Sequence, residues 1–269
     1  MTIRSDSFMC MRRLQSLKLN YNHWEIKNHT GVFSKLVSIE KLELQNSFLP
    51  LVNSTEHMKQ LGETFKEAKM PELRELHMER NNIKHITADD FHVFCPLRNL
   101  KKLYLSHNFI SHPGIDPSCA ENLDELHLDN NSIPFLSDVM IKVVEDLPEL
   151  TLINITDNPF VCDCQVDNFY HFLKSTILLL DVEGLKCVAG YPVSNVGHKI
   201  VDLHVTDFRC KDVHTVTTKL NASYVIMGCI FVIIFMLFLV VLYLNRAGIK
   251  RTFRKCTDPF TATYSSMSL

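Results

Sequence analysis

Charge of one sign is the first thing this sequence lacks. It carries 28 Lys and Arg against 30 Asp and Glu, a net charge of -2. No global field therefore argues for nucleic acid or for an anionic partner. Catalytic signatures are missing too: there is no Ser-His-Asp set, no glycine-rich phosphate loop and no H-E-x-x-H. An enzymatic reading has no residue set behind it, and no catalytic residue, metal or cofactor is assigned. Met1 to Arg13 contains no apolar run followed by a small-residue cleavage site, so it is not a secretory signal. The one long uncharged apolar run is Tyr224 to Leu244.

What is present is a repeat. Leu150, Ile153, Ile155 and Asn158 fit L-x-x-L-x-L-x-x-N, the strand-and-turn core of a leucine-rich repeat. The same pattern recurs at Leu14-Leu17-Leu19-Asn22, Leu73-Leu76-Met78-Asn81, Leu100-Leu103-Leu105-Asn108 and Leu123-Leu126-Leu128-Asn131. Ile39-Leu42-Leu44 is a further copy with Ser47 in place of Asn. The starts are 25, 34, 27, 23 and 27 residues apart, near the range of this repeat class. No unit can bury its leucines alone, so units stack and their short strands form one parallel sheet. Within each strand the alternating apolar side chains point inward, and the Asn side chain can hydrogen-bond the backbone as the chain leaves the strand. The 34-residue unit carries an insertion from Asn53 to Lys69, read as a short convex-side helix. Ile3 and Phe8 have the spacing of Ile86 and Phe91, so the sequence is expected to start mid-repeat, with further repeats and a signal upstream. Cys95 and Cys119 precede neighbouring strands by a few residues and are expected to be buried thiols, the alternative being a disulfide between adjacent turns.

After Asn158-Pro159-Phe160 come Cys162-x-Cys164, Cys187 and Cys210, with 22 residues in each longer gap. Phe169, Tyr170, Phe172, Leu173 and Ile177 make an amphipathic helical pattern there. Cys-x-Cys lacks the paired C-x₂₋₄-C knuckles of zinc sites, so disulfides in an oxidising compartment are expected, with three pairings open by spacing alone. N-P-F-V-C-D-C after a final L-x-x-I-x-I-x-x-N, followed by Cys187 and Cys210, resembles the C-terminal repeat cap of Toll-like receptors and related surface proteins. That resemblance, over about Leu14 to Leu244, implies pairing of Cys162 with Cys187 and of Cys164 with Cys210. It further implies innate immune recognition of a protein or microbial ligand, and a homo- or heterodimer with another Toll-like receptor.

Tyr224 to Leu244 is long enough to cross a bilayer core of roughly 30 Å at about 1.5 Å per residue. Arg246, Lys250, Arg251, Arg254 and Lys255 follow it, whereas only Lys211 and Lys219 precede nearby. The positive-inside rule then places the tail in the cytoplasm and the repeats outside, at the plasma membrane or in endosomes. Sequons at Asn28, Asn53, Asn130, Asn154 and Asn221 lie on the outer side and are candidate glycosylation sites. The 25 residues from Asn245 to Leu269 are too few for a signalling domain. The resemblance breaks there, which implies a co-receptor, a decoy or a fragment.

The reading is an α/β leucine-rich-repeat solenoid with a curved parallel sheet, an irregular convex side, a disulfide cap and one transmembrane helix. Its segments are 1–158 repeats, 159–211 cysteine-rich cap, 212–223 linker, 224–244 membrane helix and 245–269 tail. Outward residues fall into columns: Lys18, Glu43, His77, Tyr104, His127 and Asn154; Arg74, Lys101 and Asp124; Glu75, Lys102 and Glu125. Strands about 4.8 Å apart let Lys101 pair with Asp124 and Lys102 with Glu125. His77 and His127 come out roughly 10 Å apart, too far to share a metal, and could sense pH below about 6.5. His77, Tyr104, His127, Arg74 and Lys101 are the concave-face binding candidates of a non-catalytic recognition protein, Toll-like by resemblance. The alternative is a leucine-rich-repeat transmembrane adhesion protein.

Overall fold

A computed structural model of the chain describes residues 7–22, 32–48, 58–59, 61–62, 65, 68, 70–210, 224–243 and 245. The chain divides into two compact units, Met1–Lys211 and Asp212–Leu269.

In the first unit, six strands of three residues each carry the repeat: β1 Ser16–Lys18, β2 Lys41–Glu43, β3 Glu75–His77, β4 Lys102–Tyr104, β5 Glu125–His127 and β6 Leu152–Asn154. They form one parallel sheet in sequence order, and Leu17, Leu42, Leu76, Leu103, Leu126 and Ile153 stand opposite one another. From β2 onward the central residue of each strand is buried. Each such leucine contributes about 1.5–3 kcal/mol relative to exposure. Period-2 alternation turns the flanking residues outward, so every strand supplies two side chains to the concave face.

Three-residue strands give little register on their own, and the turn after each strand supplies the rest. Asn81, Asn108, Asn131 and Asn158 are all buried, as is Ser47 in the variant repeat. Asn108 Oδ1 accepts the amides of Asn81 and Ile83, while its Nδ2 donates to the carbonyls of Met78 and Leu105. Asn131 repeats this against Ile110 and Leu105, and Asn158 against Ile133 and Leu128. Ser47 Oγ donates to Leu19 O, and its amide is taken by Asn81 Oδ1. The residue before every one of these positions, and before Asn22, is left-handed: Tyr21, Asn46, Arg80, His107, Asn130 and Asp157 have φ between 48° and 61°. That conformation costs Tyr, Arg and His roughly 1–2 kcal/mol. At His107 and Asn130 the turn is bonded by its own Asn and by the Asn of the next repeat, which offsets the cost.

The convex side is irregular. Helix α1, Ala88–Phe91, is capped by a Thr87–Asp90 box and runs into a 3-10 turn at His92–Phe94. The next repeat has only a 3-10 turn, Pro117–Cys119, capped by Asp116. Helix α2, Asp138–Asp146, starts at the Ser137 cap and buries Met140, Ile141 and Val144. In the insertion, Met58, Lys59, Leu61, Gly62 and Phe65 are helical, with Met58, Leu61 and Phe65 in the core; the remaining residues from Asn53 to Lys69, apart from Ala68, lie outside the described ones.

Two sequence expectations require correction here. Cys95 and Cys119 are half-buried and bonded to each other, with Cα atoms 4.4 Å apart, rather than being buried free thiols. Each closes its 3-10 turn at the same place in stacked units, which brings them face to face. Ile177 does not belong to the cap helix: α3, Asp167–Ser175, ends before it and leaves it 94% exposed. The chain turns extended at Thr176, and the Leu178 carbonyl and Leu180 amide then bond Ile153, covering the open edge of β6.

The cap continues the repeat core. Phe169, Tyr170, Phe172 and Leu173 of α3 are buried, and one apolar cluster runs from Phe8 to Phe208. Cys162 is bonded to Cys187 and Cys164 to Cys210. Strands β7 Val161–Cys162 and β8 Ala189–Gly190 pair in parallel. Gly190 has φ +152°, and a Cβ there would meet Cys162 O at 2.2 Å, so only glycine fits.

The second unit holds helix α4, Tyr224–Tyr243, with 20 residues and mean hydropathy 3.4, long and apolar enough to cross a membrane. The linker, including Asn221, and the tail from Arg246 onward lie outside the described residues.

Leaving a buried backbone group unpaired costs about 1–3 kcal/mol. Asn108→Ala strands several such groups and is expected to lower the thermal midpoint by several degrees or more, whereas Asn22→Ala, whose side chain bonds only Asn20 O among the described residues, has a much smaller effect. Circular-dichroism melting of the two variants checks this. Equal losses would contradict the role given to the buried asparagines.

Candidate binding surface on the concave face

The register converts columns in the sequence into contacts in space. His77, Tyr104 and His127 occupy the same place in β3, β4 and β5. Their rings stack: His77 lies on Tyr104 with centroids 4.1 Å apart and planes 4° apart, and His127 lies on its other face at 4.3 Å and 16°. The two imidazoles thus sandwich a phenol. Repeat geometry creates the sandwich, because a parallel strand spacing of about 4.8 Å is close to the spacing at which planar rings stack.

Carboxylates hold the ring edges. His77 Nδ1 pairs with Glu79 Oε1 at 3.0 Å, and Gln45 Nε2 donates to that same oxygen. His77 Nε2 is buried without a hydrogen bond, with Glu75 Oε2 at 3.7 Å. His127 Nε2 meets Glu125 Oε2 at 3.2 Å. Lysines neutralise two of these acids in turn, Lys41 reaching Glu75 at 3.0 Å and Lys102 reaching Glu125 at 2.7 Å. Lys18 and Asn20 bond Glu43, which is only 6% exposed. Burial alone would raise the Glu43 carboxyl, yet the Lys18 and Asn20 hydrogen bonds outweigh it and hold it below its ordinary value. At Glu75 burial is likewise outweighed, by Lys41. At Glu125 the Lys102 bond is the largest influence and lowers it. Burial and Glu125 raise Tyr104 above its ordinary value.

The other candidates lie around this stack. Arg74 and Lys101 are exposed, in the column before Glu75 and Lys102. Lys102–Glu125 forms as expected, but no ion pair joins Lys101 to Asp124 among the described residues; Thr151 Oγ1 bonds the Asp124 carboxylate instead. Asn154 closes the column with Nδ2 on Asp129 Oδ1 at 2.9 Å, and Asn130 sits in a left-handed turn beside Asp129 and Asp157. Asn28 and Asn53 lie outside the described residues. Sequence reasoning missed a fourth outward column two residues past the first: Asn20, Gln45, Glu79, Ser106, Asp129 and Thr156. Its period is in the sequence, but these residues follow the last strand position and lie outside the columns drawn from the strands. Ser106 Oγ, bonded to Asp129 at 2.6 Å, is buried there.

The description "Leucine Rich Repeat" belongs to the family model that matches residues 99–120. The crystal structure of human 5T4, also called trophoblast glycoprotein, superposes with a TM-score of 0.62 at 20% identity, over 78% of this chain and 84% of that one. The fold is that of a leucine-rich-repeat protein. The mouse RP105/MD-1 complex gives 0.54 at 18% identity, over 76% of this chain and 35% of that one. By sequence, trophoblast glycoprotein of Macaca fascicularis is 28% identical over 184 residues, covering 68% of this chain and 42% of the relative. The chain spans about two fifths of the length of the curated relatives it matches.

These matches overturn the resemblance to Toll-like receptors. The sequence relatives include trophoblast glycoproteins and podocan, and the RP105 likeness is one of fold. A cysteine cap answers a need common to such solenoids, covering the last strand and the end of the core, so it does not discriminate between their families. Innate immune recognition and a Toll-like heterodimer lose their support with it.

The lowered carboxylates set a pH dependence. A group whose folded pKa is depressed stabilises the fold above its unfolded value and loses that contribution as pH falls through the folded pKa. Thermal midpoints are therefore expected to fall below about pH 4.5, the ordinary value of these glutamates. Glu43→Gln should be less stable at pH 7 and lose less on acidification. Melting curves from pH 7 to about pH 3 check both; a variant tracking the parent at every pH would contradict the assignment.

Proposed function

We propose that this chain is a non-catalytic, single-pass surface glycoprotein of receptor or adhesion type, with its repeats outside the cell and the concave face as the docking surface for a protein partner. The observation that carries the reading is the His77–Tyr104–His127 sandwich, held at its edges by Glu79 and Glu125. Rigid aromatic groups with little side-chain entropy left to lose are the usual anchors of protein interfaces. The lysine–glutamate pairs on either side leave a polar, charge-compensated rim, as interface rims are.

Helix α4 supports membrane attachment, and the basic residues from Arg246 to Lys255 support a cytoplasmic tail. Three disulfides support an oxidising outer compartment. The trophoblast glycoprotein likeness favours this adhesion-or-receptor reading.

Orientation is tested with tags at both ends of the full chain expressed on mammalian cells. The amino-terminal tag should stain intact cells, the carboxy-terminal tag only permeabilised ones, and glycosidase should shift the band. The reverse staining would refute the topology. For the surface, cells carrying the full chain are probed with an array of soluble cell-surface ectodomains. Any ectodomain that binds should lose about tenfold in affinity, 1.4 kcal/mol, with Tyr104→Ala and little with Glu145→Ala on the convex-side helix α2. Binding that ignores Tyr104 and responds to Glu145 would move the site off the concave face.

A further inference from the structure

On the convex side, away from the ring stack, two short turns hold a second set of chemically versatile side chains. His92 begins the 3-10 turn His92–Phe94, and Cys95 closes it. Asp116 caps the 3-10 turn Pro117–Cys119, and Cys119 ends it. The spacing is H-x-x-C in one repeat and D-x-x-C in the next. A 3-10 helix has three residues per turn, so side chains three apart eclipse one another. His92 and Cys95 are thereby presented on one side of their turn, and the Asp116 cap folds its carboxylate back over the turn that Cys119 ends. Stacking of the repeats then sets the two pairs face to face: the Cα atoms of Cys95 and Cys119 are 4.4 Å apart, and His92 Nε2 bonds Asp116 Oδ2.

The ligating atoms of His92, Asp116 and Cys119 all lie within 4.8 Å of one another, and Cys95 Sγ is joined to Cys119 Sγ. The Asp116 carboxylate is held in place through its other oxygen, which accepts from Ser118 N at 2.9 Å and Ser118 Oγ at 2.7 Å. The four residues offer two sulfurs, one imidazole nitrogen and one carboxylate oxygen. That donor set, with ligands three apart in each half, suits a tetrahedral thiophilic divalent cation of the zinc class.

We propose that this cluster is a redox-gated zinc site, closed while Cys95 and Cys119 are bonded and opened by a dithiol reductant. In the opening step the dithiol gives two electrons and two protons to the Cys95–Cys119 bond and is itself oxidised to a disulfide. The two free thiols then give up their protons to solvent as the cation binds both thiolates, with His92 and Asp116 completing the shell. The same residues tie the two turns together in either state, by a covalent bond when oxidised and through the metal when reduced. The concave stack, built on the strands of these same two repeats and their neighbour, keeps its support in both.

The test uses the full chain in detergent micelles, untreated or treated with a dithiol that is then removed without oxygen. Cobalt(II) replaces zinc as the probe, because tetrahedral thiolate coordination gives it visible bands and a sulfur-to-metal charge-transfer band. Reduced protein is expected to develop these bands with one equivalent of cobalt and to lose them on adding zinc, while untreated protein shows none. The Cys95→Ser, Cys119→Ser double variant should abolish them, which separates this site from the reduced cap cysteines. His92→Ala should weaken binding roughly tenfold, 1.4 kcal/mol; His92 is 55% exposed, so its loss leaves the core intact and isolates the ligand role from misfolding. Bands that persist in the double serine variant, an equal response from untreated protein, or binding indifferent to His92→Ala would each overturn the proposal.

Discussion

The hydrogen bonds from buried asparagine side chains to the backbone of adjacent turns are the interaction on which the rest depends. Strands of three residues cannot define a register alone, and each chain must leave its strand through a left-handed residue that Tyr21, Arg80 and His107 adopt only at a cost. Asn108, Asn131 and Asn158 bond both the turn they sit in and the turn of the repeat before, and Asn81 bonds the turn of the repeat before, so each repeat fixes its neighbour. The inward leucines provide most of the driving force but little direction. The asparagines provide the direction.

The concave surface is a consequence of that register. Rings placed at equivalent positions of β3, β4 and β5 have nowhere to go except onto one another, and the carboxylates of the flanking columns meet their edges. The lysines that compensate those carboxylates come from the same columns one strand away, so the charge pattern and the stack share one geometric cause. At the far end, Leu178 and Leu180 bond the outer edge of β6, and two disulfides fasten the cap behind them. The open edge that a parallel sheet would otherwise present is thereby covered.

Much of this was legible in the sequence, because a repeat forces equivalent residues into equivalent places. The strands, their inward residues, the asparagines and the column containing His77, Tyr104 and His127 follow from period alone. Other features were hidden because they depend on local backbone geometry. The left-handed residues have no common type, Cys95 and Cys119 meet only because both units end in 3-10 turns, and Ile177 keeps helical spacing after the helix has stopped. Glu79 and Asp129 escape a pattern drawn from strand positions because they lie just past a strand, although the same register carries them. The family resemblance failed for a different reason: the cap motif reports the physical need to end a solenoid, which receptors and adhesion proteins share.

Hydrogen exchange on the intact chain tests the central claim most directly. The amides of Ser47, Ile83, Ile110 and Ile133 lie outside helices and strands, and each donates to an asparagine side chain. If those bonds define the register, these four amides exchange as slowly as the amides of β3 to β5. Exchange at the rate of exposed turns, with the strands still protected, would mean that the leucine core sets the register without them.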